Sequence, residues 1–147
     1  MTVPRELSMR DGKLCQQPAH EIERMRGDCV RATGGETVEK PGRLFDLVVS
    51  CEGAKMVELE IRKGVFVRYA DGTLTLDMGD EGYGRDRRSI ELSELRDLRV
   101  LSDTTMVEIF VNGGEAALTS RTYSPAVPAM ELRAEGAASM DFYRLAR

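Results

Sequence analysis

Apolar and polar residues alternate in short runs along most of the chain, and Gly, Asp and Asn separate one run from the next. In the run at 56–62, for example, Val57, Leu59 and Ile61 alternate with charged residues. A period of two places every second side chain on one face of an extended strand. The pattern therefore predicts an all-β protein whose strands each bury one face.

The alternating runs define a series of predicted strands. Two packed sheets are the economical arrangement for about ten to twelve strands, because a single open sheet of that size curls or splits. We therefore expect a two-sheet antiparallel β-sandwich of the concanavalin A-like or jelly-roll type, forming one domain over residues 1–147. The predicted strands include 5–9, 13–17, 44–51, 56–62, 95–101, 105–111, 130–134 and 139–145.

Three Asx-Gly dipeptides predict two-residue hairpin turns, at positions 11–12, 71–72 and 112–113. Such dipeptides suit type I′ turns, whose two central residues both need positive φ. The second turn pairs Tyr69 with Leu74 and Val67 with Leu76. The third turn is expected to produce the pairs Val111–Gly114, Ile109–Ala116 and Val107–Leu118.

The strand before the third turn has two different faces. Val107, Ile109 and Val111 form an apolar row that belongs in a core, together with Leu118. The opposite face carries Met106, Glu108 and Phe110, and this mixture suits neither a solvated surface nor an interior. We interpret this second face as a surface that contacts a partner.

One helix and one long polar loop interrupt the strands. Residues 18–26 begin with Pro, carry acidic residues early and basic residues late, and precede Gly27, which together predict a helix of about two turns near the N-terminus. Residues 79–89 are polar and contain Tyr83 and Arg85, which we take as further candidate interface residues. The local acidic residues balance the arginines, so a charged surface loop is the plainer interpretation.

Composition and charge exclude several classes of function. A net charge of −4 gives no basic face for DNA or RNA. Three cysteines without a C-x-x-C spacing suit reduced thiols in a cytoplasmic protein, and a single His20 argues against a metal site. No apolar run approaches the ~18 residues of a membrane span. We expect no cofactor, no metal, no nucleic acid and no membrane contact.

Catalytic residues are not predicted anywhere in the chain. Glycoside hydrolysis needs a pair of carboxylic acids, but Glu58 and Glu60 point outward from a strand as solvated residues do. Glu108 is the best single candidate for a functional contact. Ser, Cys and His show no arrangement typical of a nucleophilic triad. A minimal glycosidase that uses two of its own carboxylates remains the least favoured hypothesis.

Sugar binding by exposed aromatic rings is an alternative function. The chain has no Trp, four Tyr and four Phe, and several of these are expected to fill the core. The rings left for a surface are Tyr83, Phe110, Tyr123 and Tyr143. A stand-alone sugar-binding module is therefore the alternative hypothesis.

Three segments resemble the carboxy-terminal β-sandwich domain of family 32 glycoside hydrolases, the β-fructofuranosidases that include invertase and sucrose-6-phosphate hydrolase. They are Thr-Val-Pro-Arg-Glu-Leu at 2–7, Gln-Gln-Pro at 16–18 with the residues after it, and 98–119 around Val-Glu-Ile-Phe-Val-Asn-Gly-Gly-Glu. The resemblance spans nearly the whole chain. Cys15 departs from it, because an aromatic residue is expected at that position.

The resemblance implies a non-catalytic module of a larger enzyme. In this family the Asn-Asp-Pro-Asn, Arg-Asp-Pro and Glu-Cys motifs belong to an amino-terminal five-bladed propeller that cleaves β-fructofuranosyl units with retention, and none of these motifs occurs here. The sandwich packs against the propeller, stabilises it and in some members supports a homodimer. Met106, Glu108 and Phe110 would suit such docking. With the resemblance, the alternative hypothesis becomes a stand-alone carbohydrate-binding module that recognises fructans or sucrose through its exposed tyrosines.

Overall fold

The computed structural model describes residues 4–79 and 87–145. These residues form antiparallel strands and one short 3₁₀ helix, His20–Met25. The strands are β1 (Arg5–Arg10), β2 (Lys13–Pro18), β3 (Arg26–Thr33), β4 (Thr37–Glu39), β5 (Phe45–Ser50), β6 (Met56–Arg62), β7 (Val65–Ala70), β8 (Thr73–Asp77), β9 (Arg87–Glu91), β10 (Asp97–Ser102), β11 (Met106–Val111), β12 (Ala116–Arg121), β13 (Ala129–Glu131), β14 (Arg133–Glu135) and β15 (Ser139–Leu145).

Two large sheets form the body of the molecule. One has six strands in the order β12-β11-β10-β5-β15-β3, and the other has five in the order β14-β6-β7-β8-β9. Two small sheets, β1-β2 and β13-β4, accompany them. The structure confirms the predicted all-β, two-sheet antiparallel sandwich.

The core lies between the two large sheets. Leu47 and Ile109 of the six-stranded sheet and Leu59 and Leu74 of the five-stranded sheet are fully buried in one apolar cluster. Complete burial of a side chain of this size contributes about 1.5–3 kcal/mol. The period-two pattern thus identifies the buried faces correctly.

The three Asx-Gly turns adopt the predicted conformation. Their first residues have φ of 50°, 51° and 50°, and the glycines that follow have φ of 77°, 74° and 70°. The pairs Tyr69–Leu74 and Val67–Leu76 form as expected. Local turn chemistry is therefore sufficient to fix the β7–β8 hairpin.

The register of the β11–β12 hairpin differs from the prediction. Val111 pairs with Ala116 rather than with Gly114, so the predicted pairs are wrong by two positions. The Gly114 amide closes the turn on the Val111 carbonyl at 3.0 Å, but the Gly114 carbonyl accepts a hydrogen bond from the Gln16 amide at 2.8 Å. A contact with a distant strand therefore removes Gly114 from the ladder.

The buried row survives this change of register. A shift by an even number of residues leaves each side chain on its original face. Val107, Ile109, Val111 and Leu118 accordingly all lie in the core.

The helix near the N-terminus is shorter and tighter than the sequence predicts. The pattern predicts a helix over residues 18–26, but only His20–Met25 are helical, as a 3₁₀ helix. Ala19 has no side-chain oxygen to cap the first turn, and Arg26 is already extended at φ −69° and ψ 131°. The helix is a connector that ends where β3 begins.

Three regions of the chain differ from the sequence-based expectation. The sequence pattern does not predict β3, because almost all of its residues are exposed and show no alternation. The single strand expected at 130–134 is two strands, since β13 pairs with β4 while β14 pairs with β6. Part of the polar loop expected at 79–89 forms β9.

Replacing Gly114 with Ala should test the contact that sets the register. Gly114 has φ of 93°, and a Cβ added there would overlap the Gln16 carbonyl oxygen. Positive φ and this overlap should together lower the free energy of unfolding by roughly 2–4 kcal/mol. The measurement is urea unfolding followed by circular dichroism.

Gly34→Ala is the matched control, because Gly34 has no positive φ and a Cβ added there would meet nothing within 4 Å. Its unfolding midpoint should stay close to that of the unmodified chain. Equal stabilities of the two variants would contradict the proposed role of Gly114.

Candidate functional site

The predicted partner face lies on the outer side of the six-stranded sheet. Met106, Glu108 and Phe110 alternate along β11 with the residues that enter the core. Glu108 is only 3% exposed and Phe110 only 2%, so the prediction that Phe110 is a surface ring is wrong. The chain covers this face itself.

The cover is the opening hairpin, β1–β2. Arg5 Nη2 donates to Glu108 Oε1 at 2.9 Å and to Thr119 Oγ1 at 2.8 Å, while Arg5 Nη1 donates to Gln16 Oε1 at 2.7 Å. The Arg5 guanidinium carbon lies 5.3 Å from the centre of the Phe110 ring. We call the contacts of Arg5 with Gln16, Glu108 and Thr119 the clasp.

The loop between β11 and β12 adds a second attachment. Gln17 Nε2 donates to the Gly113 carbonyl at 2.7 Å. The backbone contact between Gln16 and Gly114 lies beside it. Side-chain and backbone contacts thus hold β2 along the end of the six-stranded sheet.

The clasp is energetically important because its carboxylate is buried. The side chain of Glu108 is 4% exposed and that of Arg5 22%. Removing one partner of a buried pair leaves the other charge without compensation, and this is usually strongly destabilising. Glu108 therefore needs Arg5 in place, and the hairpin is tied to the sheet.

A second buried carboxylate fixes the 3₁₀ helix and the start of β3. Asp46 is fully buried, and it accepts hydrogen bonds from Arg26 Nε at 2.7 Å and from Arg99 Nε and Nη2 at 2.9 and 2.8 Å. Arg99 also lies 3.8 Å from Glu23 of the helix. The guanidinium of Arg26 stacks over Tyr143 at 4.2 Å.

These arrangements are suited to holding segments together rather than to catalysis. Glu108 and Asp46 are both covered by protein and already bonded to arginines. A cleft of about 210 Å³ lies between β2, the helix and the six-stranded sheet, with Arg26, Arg99 and Phe110 among its lining residues. Among the described residues, no group of three or more His, Cys, Asp or Glu side chains could hold a metal ion.

The outer face of the five-stranded sheet carries a ladder of alternating charges. Glu58 bonds to Arg68 at 2.7 Å and lies 3.6 Å from Arg133, while Asp77 contacts Arg68 at 2.9 Å and Arg87 at 3.3 Å. Glu58 thus lies on the outer face of its strand as predicted, but its side chain is only 26% exposed because it pairs with two arginines. This face satisfies its own charges.

Asp77 contacts two arginines of this ladder. Burial acts to raise the pKa of its carboxyl, but the Gly79 amide, the Arg68 hydrogen bond and the charges of Arg87 and Arg68 outweigh burial and lower the pKa. A carboxyl with a depressed pKa stabilises the fold above its unfolded pKa, and this contribution is lost as pH falls through the folded pKa.

The remaining candidate residues have different surroundings. Tyr83 and Arg85 lie outside the described residues. Tyr123 is exposed, whereas Tyr143 is partly covered by Arg26. His20 is largely exposed near Glu23.

Sequence reasoning missed the partners of the two buried carboxylates. Arg5 is far from Glu108 along the chain, so no local pattern links them. Asp46 did carry a signal, because it is a lone charge inside the apolar run of β5.

Among the described residues, no helix has the length and the hydropathy that a membrane span requires.

Comparison with known families identifies a long matching segment. Residues 45–145 match the sequence model described as "Glycosyl hydrolases family 32 C terminal". The chain is 37% identical to the raffinose invertase of Escherichia coli, and the match covers 86% of this chain and 29% of that protein. It is 33% identical to the sucrose-6-phosphate hydrolase of Salmonella typhimurium, with 86% of this chain and 26% of that protein covered.

Solved structures share the fold. The sucrose-6-phosphate hydrolase of Lactobacillus gasseri superposes with a TM-score of 0.82 at 19% identity, covering 97% of this chain and 33% of that chain. A family 32 glycoside hydrolase from Bifidobacterium adolescentis gives 0.80 at 22% identity, covering 98% and 25%. The chain therefore spans about a third or less of the length of these proteins.

Replacing Glu108 with Gln should loosen the opening hairpin. The variant keeps the shape of the side chain but removes the charge that faces Arg5, so stability should fall by roughly 1–3 kcal/mol. Amide hydrogen exchange in β1 and β2 should accelerate at least tenfold, while the amides of β6 to β8 change much less. Exchange measured by mass spectrometry on the whole chain tests this expectation.

Glu135→Gln provides the control, since Glu135 is an exposed glutamate at the end of β14. Amide hydrogen exchange in β1 and β2 of the Glu135→Gln variant should match that of the unmodified chain. Unchanged hairpin exchange in Glu108→Gln would show that the clasp does not hold the hairpin.

Proposed function

The chain belongs to the C-terminal family of family 32 glycosyl hydrolases, and from this premise we propose that it is the non-catalytic module of an enzyme that hydrolyses sucrose, sucrose 6-phosphate or a related β-fructofuranoside. The observation that carries the proposal is that the match takes in most of this chain but only a small part of each relative. The match to raffinose invertase takes in 86% of this chain but 29% of that protein. The rest of such a protein would supply the catalytic domain.

Two features support a non-catalytic role. The three propeller motifs named above are absent from the sequence. The buried carboxylates Glu108 and Asp46 are each held by arginine and closed off from substrate, so they do not form a working catalytic pair.

The proposed partner is the amino-terminal five-bladed propeller of the same enzyme. The module would pack against the propeller, stabilise it and support a homodimer of the parent. We also propose a cytoplasmic location, in keeping with Cys15, Cys29 and Cys51, which form no disulfide although all three lie in the described part of the chain.

The purified chain should release no fructose from sucrose or from sucrose 6-phosphate. The reason is that the two buried carboxylates, Glu108 and Asp46, are each held by arginine and so cannot serve as the proton donor and the nucleophile of glycoside hydrolysis. A coupled fructose assay at high protein concentration is the measurement. Fructose release that disappears on substitution of a single Asp or Glu would overturn the non-catalytic assignment.

The same preparation tests the alternative of a sugar-binding module. Isothermal titration with inulin, levan oligomers and sucrose should give no saturable heat. Saturable binding that is lost in Tyr123→Ala would favour the alternative.

The chain should form a complex with a separately produced propeller. The catalytic region of the E. coli raffinose invertase is a suitable partner, because that protein is 37% identical over the matched segment. The catalytic region must first show cooperative thermal unfolding, which establishes that it is folded. Sedimentation velocity of the mixture at tens of micromolar should then show a heterodimer. A separate run with the chain alone measures any self-association. Two separate boundaries in the mixture would count against docking.

A further inference from the structure

Basic side chains collect at one end of the sandwich, where β15 ends, β5 begins and β10 ends. Arg144 of β15 lies beside Phe45 of β5, and Phe45 lies beside Ser102 of β10. Arg62 reaches the same place from the five-stranded sheet, because its Nη1 donates a hydrogen bond to Ser102 Oγ at 3.1 Å. An arginine therefore joins the two large sheets at this end.

The loop between β4 and β5 adds two further basic residues, Lys40 and Arg43. Arg144 Nη2 donates to the carbonyl oxygens of Glu39 and Lys40 at 3.0 and 2.6 Å. On the other side, the Lys40 amide donates to the Pro128 carbonyl at 2.9 Å. These bonds fix the loop from two directions. We call the four basic residues the basic end: Lys40, Arg43, Arg62 and Arg144.

Arg62 brings a buried positive charge to the basic end. Its side chain is fully buried. Its four hydrogen bonds end on oxygen atoms of uncharged groups, namely the Ser102 hydroxyl and the carbonyls of Asp103, Thr104 and Ser124. Burial and the nearby charge of Arg43 lower the pKa of Arg62 to about 10, although the charge of Asp103 acts in the opposite direction. Arg43 is thus close enough for the two positive charges to repel each other.

Ion pairs do not neutralise the basic end. On the five-stranded sheet, by contrast, Arg68 pairs with Asp77 at 2.9 Å. Within residues 4–79 and 87–145, no ion pair includes a member of the basic end. The side chains of Lys40, Arg43 and Arg144 are exposed, so a solute can reach them. A chain with a net charge of −4 therefore carries a local surplus of positive charge.

Two acids lie in adjoining segments, and both have other contacts. Glu39 Oε1 accepts a hydrogen bond from Thr37 Oγ1 at 3.4 Å, and Asp103 Oδ1 accepts one from the Thr104 amide. Two carboxylates beside four basic residues leave the surplus in place.

A phosphate group fits this surplus well. A guanidinium presents a planar fork of N–H donors that matches the spacing of phosphate oxygens, and lysine adds a point charge. A phosphate dianion concentrates two negative charges in one small group, which no single carboxylate does. Because the loop is already fixed by its hydrogen bonds, binding there orders few groups and loses little entropy.

We propose that the exposed side chains of the basic end, Lys40, Arg43 and Arg144, bind a phosphate dianion, either inorganic phosphate or the phosphate group of a sugar phosphate. Arg62 does not touch the anion, but its buried charge attracts it from behind. The site goes beyond the proposed function, since it is formed by this chain alone and requires neither a catalytic domain nor catalysis.

The test is an amide NMR titration of the purified chain. Inorganic phosphate and sucrose 6-phosphate should each cause saturable shifts at residues 39–45 and 144–145, whereas unphosphorylated sucrose should cause none. Raising NaCl to about 150 mM should increase the Kd roughly threefold or more, because salt screens exposed charges.

A matched pair of double variants locates the site. In Lys40→Gln, Arg43→Gln two charges are lost without breaking a bond, because neither side chain forms an ion pair or hydrogen bond with another described residue. The Kd for phosphate should rise roughly tenfold or more. Arg24→Gln, Lys55→Gln removes one arginine and one lysine from exposed positions elsewhere, and its Kd should stay within about twofold of the unmodified value.

The titrations also identify the source of the phosphate group. A lower Kd for sucrose 6-phosphate than for inorganic phosphate would identify a phosphorylated sugar as the ligand, and an equal or higher Kd would identify phosphate alone. The proposal is overturned by an absence of saturable shifts, by shifts with sucrose of the same size, or by equal affinities of the two double variants. None of these results bears on the proposed function, whose tests use a catalytic domain or sugars without phosphate binding as the readout.

Discussion

The ion pair between Arg5 and Glu108 determines which surfaces of this molecule are covered and which stay open. Glu108 lies on the outer face of a sheet whose inner face fills the core, and its carboxylate is buried only because Arg5 brings the opening hairpin across it. The pair places the polar base of the hairpin inward. Leu7, Met9 and Leu14 lie further along the hairpin from Arg5 and stay exposed.

Period-two alternation and turn chemistry are sufficient to predict the fold class and the core. They identify both large sheets and the conformation of the Asx-Gly turns, because each depends on residues that are close in sequence. The register of the β11–β12 hairpin does not follow from them, since the Gly114 carbonyl bonds to Gln16 of a distant strand. The sequence pattern does not predict β3, for a related reason. It is an edge strand without a buried face, and only its pairing with β15 defines it.

The candidate site illustrates the same limit. The mixed character of Met106, Glu108 and Phe110 predicts a face that contacts a partner, and in the structure the chain's own opening hairpin covers Glu108 and Phe110. Alternation cannot say which chain covers it, because the covering residue is Arg5, 103 positions earlier. The apolar residues Leu7, Met9 and Leu14, in contrast, are neighbours in sequence, but their exposure becomes evident only in the structure.

The separation of Arg5 from its partners also has a consequence for synthesis. Glu108 and Thr119 emerge from the ribosome more than a hundred residues after Arg5, since the sequence separations are 103 and 114. The opening hairpin therefore cannot be fastened to its sheet until almost the whole sandwich has been translated.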